Sequence, residues 1–110
     1  MTYEDYAQIA KALSDPKRVK ILDMLSCGSM YACDILEHFD FTQPTLSHHI
    51  KALTKAGLVT VRKEGTWNHY SIDQDKASQF LKQTEHFLTH TEDCVCKDTP
   101  DGKACKTCAG

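Results

Sequence analysis

Four of the six cysteines fall within fifteen residues near the C-terminal end, as Cys94-Val95-Cys96 and Cys105-Lys106-Thr107-Cys108 with eight residues between the pairs. Their neighbours are Asp, Lys, Gly and Pro, with almost no apolar side chains. Thiols in such a segment have no packing reason to be there. A C-x-C…C-x-x-C array suits a tetrahedral Zn²⁺ or Cd²⁺ thiolate site, and three of the four sulfurs would suit As(III). Lys97, Lys103 and Lys106 would help keep the sulfurs ionised. The same spacing fits a structural zinc knuckle, or a loose tail that only scavenges metal. Cys27 and Cys33 stand apart from this array. The plain reading of Cys27 is a small buried apolar residue, the common fate of a free Cys.

Such chemistry needs reduced thiols. No apolar run approaches the ~20 residues that span a bilayer. The N-terminal MTYEDYAQIAKAL carries two acids and no apolar h-region. The expectation is a cytoplasmic chain with no membrane segment, in which six Cys are ligands or redox groups rather than a disulfide framework. A length of 110 residues suits one domain. With 41% hydrophobic and 25% charged residues, the composition excludes a wholly disordered chain.

The elements that must position these groups read as follows. Residues 3–14 place Tyr6, Ile9, Ala10 and Leu13 at helical spacing. Asp15-Pro16 caps and starts a second helix with Val19, Ile21, Leu22 and Leu25, ending near Gly28. Ala32–Phe39 is a shorter helix with Ile35, Leu36 and Phe39 on its apolar face. After a tight connection, Thr42 caps a helix running to about Ala56, with Leu46, Ile50 and Leu53 inward and Gly57 as its stop. Leu58–Val61 is strand-like, Lys63–Thr66 a hairpin tip, and Trp67–Ile72 the returning strand. Lys76 to about Glu92 is a last helix whose stripe of Ala77, Phe80, Leu81, Thr84, Phe87 and Leu88 calls for cover by another subunit. The division is a folded domain over 1–92 and a cysteine-rich tail over 93–110.

Short helix, tight turn, longer helix and β-hairpin make a winged helix-turn-helix, mainly α with a β-hairpin wing. In that motif the longer helix enters the DNA major groove. Here it offers Gln43, Thr45, Ser47, His48 and His49 as outward hydrogen-bonding groups, with Lys51 farther along. The wing tip offers Arg62 and Lys63 for phosphates or the minor groove. Over residues 42–70, Lys51, Lys55, Arg62 and Lys63 stand against Glu64, a net +3. The total of −2 therefore leaves −5 for the remainder. Charge segregation alone would fit any solvated surface; segregation onto this element order points to double-stranded DNA.

LSDPKRVKILDML, the run ACDILEHFDFTQPTLSHHIKALTKAGLVTVRKEGTWNHYSI and the Cys-bearing terminus resemble the ArsR/SmtB family of metal-sensing winged-helix repressors, in its arsenical-resistance branch. The resemblance covers roughly residues 5–90. It implies a homodimer formed through the first and last helices, bound to an operator and released by its inducing ion. By the same resemblance Thr45, Ser47, His48 and His49 are the recognition-helix positions. The arsenic-sensing branch carries Cys-x-Cys-Asp at the start of the helix before the recognition helix. Here Tyr31-Ala32-Cys33-Asp34 stands instead, so the first thiol of the pair is missing. Cys27 is a possible substitute. The tail Cys94, Cys96, Cys105 and Cys108 of one subunit could also reach Cys33 of the other. The zinc-sensing branch uses carboxylate and His ligands on the last helix, for which Asp73, Asp75, His86 and His90 are candidates. Its two His are three apart, whereas His86 and His90 are four apart; exposed polar residues on an amphipathic helix are the plainer reading.

The expected inducer is therefore As(III) or Sb(III), with Cd, Pb or Zn next, and a thiol-redox or persulfide-sensing repressor third. A thiol oxidoreductase would want its Cys-x-x-Cys at a helix N-terminus beside a sheet, a context absent here. No paired carboxylates, phosphate-binding glycine loop or Ser/His/Asp set suggests an enzyme.

Overall fold

Capping chemistry sets the helix boundaries. In this computed structural model, which describes residues 1–90, Thr2 opens α1 (Tyr3–Ala12) with a reciprocal capping box to Asp5. Asp15 Oδ1 accepts the Lys17 N–H at 2.8 Å and opens α2 (Pro16–Leu25), whose missing first N–H Pro16 makes harmless. The chain then forms β1 (Met30–Tyr31), α3 (Ala32–Leu36), α4 (Gln43–Ala56), β2 (Val59–Glu64), β3 (Trp67–Ile72) and α5 (Gln74–Leu88). Gly57 closes α4 at φ +89°, a left-handed conformation that other residues adopt only under strain. A Cβ there would also stand 3.1 Å from Lys76 Cε.

The architecture is a mainly helical winged helix-turn-helix with a three-stranded antiparallel sheet ordered β1-β3-β2. β1 is an addition to the hairpin read from the sequence, because two residues are too few to show alternation. Its pairs are Met30 with Tyr70 and Tyr31 with His69. β2 and β3 pair from Val59–Ile72 to Glu64–Trp67. The tip is therefore only Gly65-Thr66, with Gly65 at φ +64°. Arg62 and Lys63 lie on β2 rather than at the tip.

The core gathers Ile9 and Ala12, Ile21 and Leu25, Ile35, then Leu46, Ile50 and Leu53, with Leu58, Val59 and Tyr70. Val19 on α2 is 48% exposed. α3 stops at Leu36, three residues short of the expected Phe39, and Phe39 reaches the core from the turn. α5 joins through α1: Tyr6 stacks on Phe80 at 4.8 Å and meets the edge of Phe87 at 4.9 Å. Thr84 donates to the Phe80 carbonyl, so its oxygen accepts from the Tyr6 hydroxyl 2.7 Å away. No α5 residue is buried, and Leu81 and Leu88 are largely exposed. α5 ends at Leu88 with extended backbone at Thr89, short of the expected Glu92. The 92/93 boundary and the thiols of Cys94, Cys96, Cys105 and Cys108 lie outside the described residues.

Candidate nucleic-acid interface

α3, the turn and α4 form the helix-turn-helix. The turn is braced by Phe39 and Phe41, whose rings stack at 4.5 Å. Lys20 lies over Phe39 at 4.7 Å and Lys17 over Phe41 at 5.7 Å, each a cation on an aromatic face. Lys20 also donates to the His38 carbonyl at 3.0 Å. Sequence reasoning missed these two lysines. A charge count over residues 42–70 leaves out α2, yet Lys17 and Lys20 stand beside the turn that presents α4. The signal was the basic run Lys17-Arg18-Val19-Lys20.

Along α4, Gln43, Ser47, His48 and Lys51 are exposed and Thr45 is half-buried. Thr42 sits at the cap position without a side-chain cap bond; its hydroxyl lies 3.3 Å from that of Thr45. His49 departs from the outward reading: it is 6% exposed. Leu46, His49, Ile50 and Leu53 follow the i, i+3, i+4, i+7 spacing of a buried stripe. The stripe was visible in the sequence, and the polar type of His49 masked its place on it. Arg18 Nε donates to His49 Nδ1 at 3.3 Å, and Arg18 Nη1 donates to the Ala12 carbonyl at 3.4 Å. His49 thus ties the recognition helix to α2 rather than facing outward.

Burial holds the His49 pKa below the ordinary imidazole range; Asp15 opposes this and Arg18 adds to it. As pH falls below about 6.5, the unfolded chain binds a proton that folded His49 refuses. The stability this group confers is complete above that pH and declines as pH drops toward the lower folded value. His49→Gln keeps an acceptor for Arg18 and removes the titration. From about pH 7.5 to about pH 5.5, the thermal midpoint of the wild type should fall further than that of His49→Gln. Parallel curves for the two chains would contradict this assignment.

On the wing, Lys63 is exposed, and Arg62 Nη2 pairs with Glu64 Oε1 and lies 3.4 Å from His69 Nδ1. The Tyr31 hydroxyl donates to Glu64 Oε2 at 2.7 Å. That bond raises the Tyr31 phenol above its usual range and, with Arg62, lowers the Glu64 carboxyl. Trp67 is 57% exposed and meets Tyr31 edge-on at 6.2 Å. His69 is half-buried with its ring 4.6 Å from that of Tyr31.

Cys33 is exposed in the first turn of α3, its sulfur 4.0 Å from Asp34 Oδ1. It lines a groove of about 260 Å³ with Leu36, Gln43 and the wing residues Thr66, Trp67 and Asn68. Cys27 is exposed too, against the reading of a buried apolar residue. The segment between them is not a free turn, because β1 stitches it to β3. Among the described residues no three Cys, His, Asp or Glu cluster as a metal site. His86 lies in α5 and His90 past its end, so their four-residue spacing does not put them on one helical face. Asp73 caps α5 by accepting the Lys76 N–H at 3.1 Å. No helix among the described residues is long and apolar enough to cross a membrane.

A family model described as "Bacterial regulatory protein, arsR family" matches residues 15–61, which hold α2 through the first half of β2. The chain is 44% identical over 103 residues to an arsenical resistance operon repressor of Staphylococcus xylosus, covering 94% of this chain and 99% of that one. The chain belongs to the arsR family. This is a family of DNA-binding regulators with a helix-turn-helix, not of enzymes. Solved structures agree with the assignment. A possible transcriptional regulator for arsenical resistance superposes with a TM-score of 0.67 at 28% identity, covering 74% of this chain and 84% of that one. The homodimeric winged helix-turn-helix domain of a possible ArsR-family regulator from Mycobacterium bovis gives 0.64 at 32%, covering 83% and 88%.

Proposed function

We propose that this ArsR-family chain binds operator DNA as a homodimer and leaves it when As(III) or Sb(III) is captured by cysteine thiolates. The observation that carries this reading is the placement of exposed Cys33 in the helix just ahead of the recognition helix, in one groove with Gln43 and the wing turn. A ligand held there sits between both candidate DNA-contacting elements. Exposed Gln43, Ser47 and His48 are the proposed base readers, with Thr45 beside them and Lys51, Arg62 and Lys63 on phosphates. The exposed apolar side of α5, with the rings of α1 beside it, is the proposed dimer face. Similarity to an arsenical resistance operon repressor supports the choice of ion.

The described residues supply two exposed thiols and no third ligand beside them, so a trithiolate draws on Cys94, Cys96, Cys105 or Cys108. Tyr31 standing where the arsenic-sensing branch has its first Cys also supports a second reading: the same repressor sensing Cd, Pb or Zn through the four tail thiols.

Titration of reduced full-length protein on the DNA upstream of its own gene distinguishes them. Arsenite or antimonite should lower affinity about five- to 150-fold, the usual span of allosteric coupling, and Cys33→Ser should blunt that response. Arsenite leaving the complex intact while Cd(II) dissolves it would establish the second reading. Release by oxidant without metal would favour a redox sensor.

A further inference from the structure

Three side chains form one row across the wing sheet. Tyr31 on β1 pairs with His69 on β3, and His69 pairs with Arg62 on β2. Directly paired residues lie on the same face, so the three project together. One step along that face stand Glu64 and its partner Trp67. The Tyr31 hydroxyl crosses to Glu64 Oε2, and the other oxygen of that carboxylate holds Arg62 Nη2. Among the described residues, every side-chain hydrogen bond of Arg62 runs through Nη2. Its side chain is 70% exposed. The guanidinium is therefore tethered by one nitrogen, with Nε and Nη1 left for an outside acceptor.

We infer that Tyr31 is a positioning residue for DNA binding: through Glu64 it holds Arg62 in the orientation that meets a backbone phosphate. This deepens the proposed function and rests on its reading of Arg62 as a phosphate contact. A free Arg loses side-chain freedom when it binds; a guanidinium already set by a carboxylate and a phenol loses less. Tyr31 also precedes α3, the helix that carries Cys33. The same hydroxyl therefore joins the thiol-bearing helix to the cation of the wing.

The test is a double-mutant cycle on operator binding by the full chain, measured over a range of salt. Arg62→Ala should weaken binding and reduce the slope of log affinity against log salt by about one per engaged protomer. Tyr31→Phe keeps the ring contacts and removes only the hydroxyl. It should weaken binding about two- to tenfold, the value of one hydrogen bond, and add nothing in the Arg62→Ala chain. A merely structural role for Tyr31 would give additive losses. Loss on Arg62→Ala with Tyr31→Phe neutral or additive overturns this inference alone. An Arg62→Ala chain that binds as the wild type does overturns the phosphate reading of the wing, and this inference with it.

Discussion

Leu53→Ala is expected to lower the stability of the fold by about 2–5 kcal/mol, the usual span for truncating a fully buried Leu. Leu53 has no exposed surface and lies on the inward stripe of α4 with Leu46 and Ile50. It also stands one turn before the Gly57 stop, and its carbonyl accepts the Leu58 N–H at 3.2 Å where the chain leaves for the wing. The cavity would open where helix and hairpin meet. A domain of this size holds about 5–15 kcal/mol in all, so one methyl-rich side chain accounts for much of it. Urea denaturation should show an earlier midpoint with an unchanged slope. A loss under about 1 kcal/mol would mean that the junction relaxes, contrary to the packing described.

The second large effect concerns recognition. Replacing Gln43, Ser47 and His48 by Ala leaves the core untouched, because all three are exposed. Each one that reads a base should cost about 1–3 kcal/mol of discrimination, or about five- to 150-fold in operator affinity. Binding to unrelated duplex should change little, since it depends on phosphate contacts. The comparison to make is therefore operator against scrambled DNA at one salt concentration. Equal losses on both duplexes would move these residues from base reading to backbone contact.

How far the sequence was legible varied from residue to residue. The Asp15-Pro16 start, the Leu46–Ile50–Leu53 stripe and the Gly57 stop were readable, because each rests on local chemistry: a cap, a period, a left-handed turn. What escaped depended on contacts far apart in the chain. The partner that lets buried His49 sit on the inward stripe is Arg18, 31 residues earlier, which donates to its ring. Tyr31 shares a hydrogen bond with Glu64 across 33 residues, and no local pattern announces it. β1 exists only because β3 offers it an edge. His86 and His90, four apart, would share a face only on one continuous helix, and α5 ends at Leu88.

The stitch between β1 and β3 also has a mechanical meaning. A hairpin held only at its base swings about one hinge. This one is fastened along its flank to the strand that leads into α3, so swinging it would shear the ladder at Met30–Tyr70 and Tyr31–His69. The wing is thus anchored to the segment that opens α3, the helix just ahead of α4. In the proposed operator complex, a wing anchored in this way would favour sequences whose groove width and bendability already fit its span.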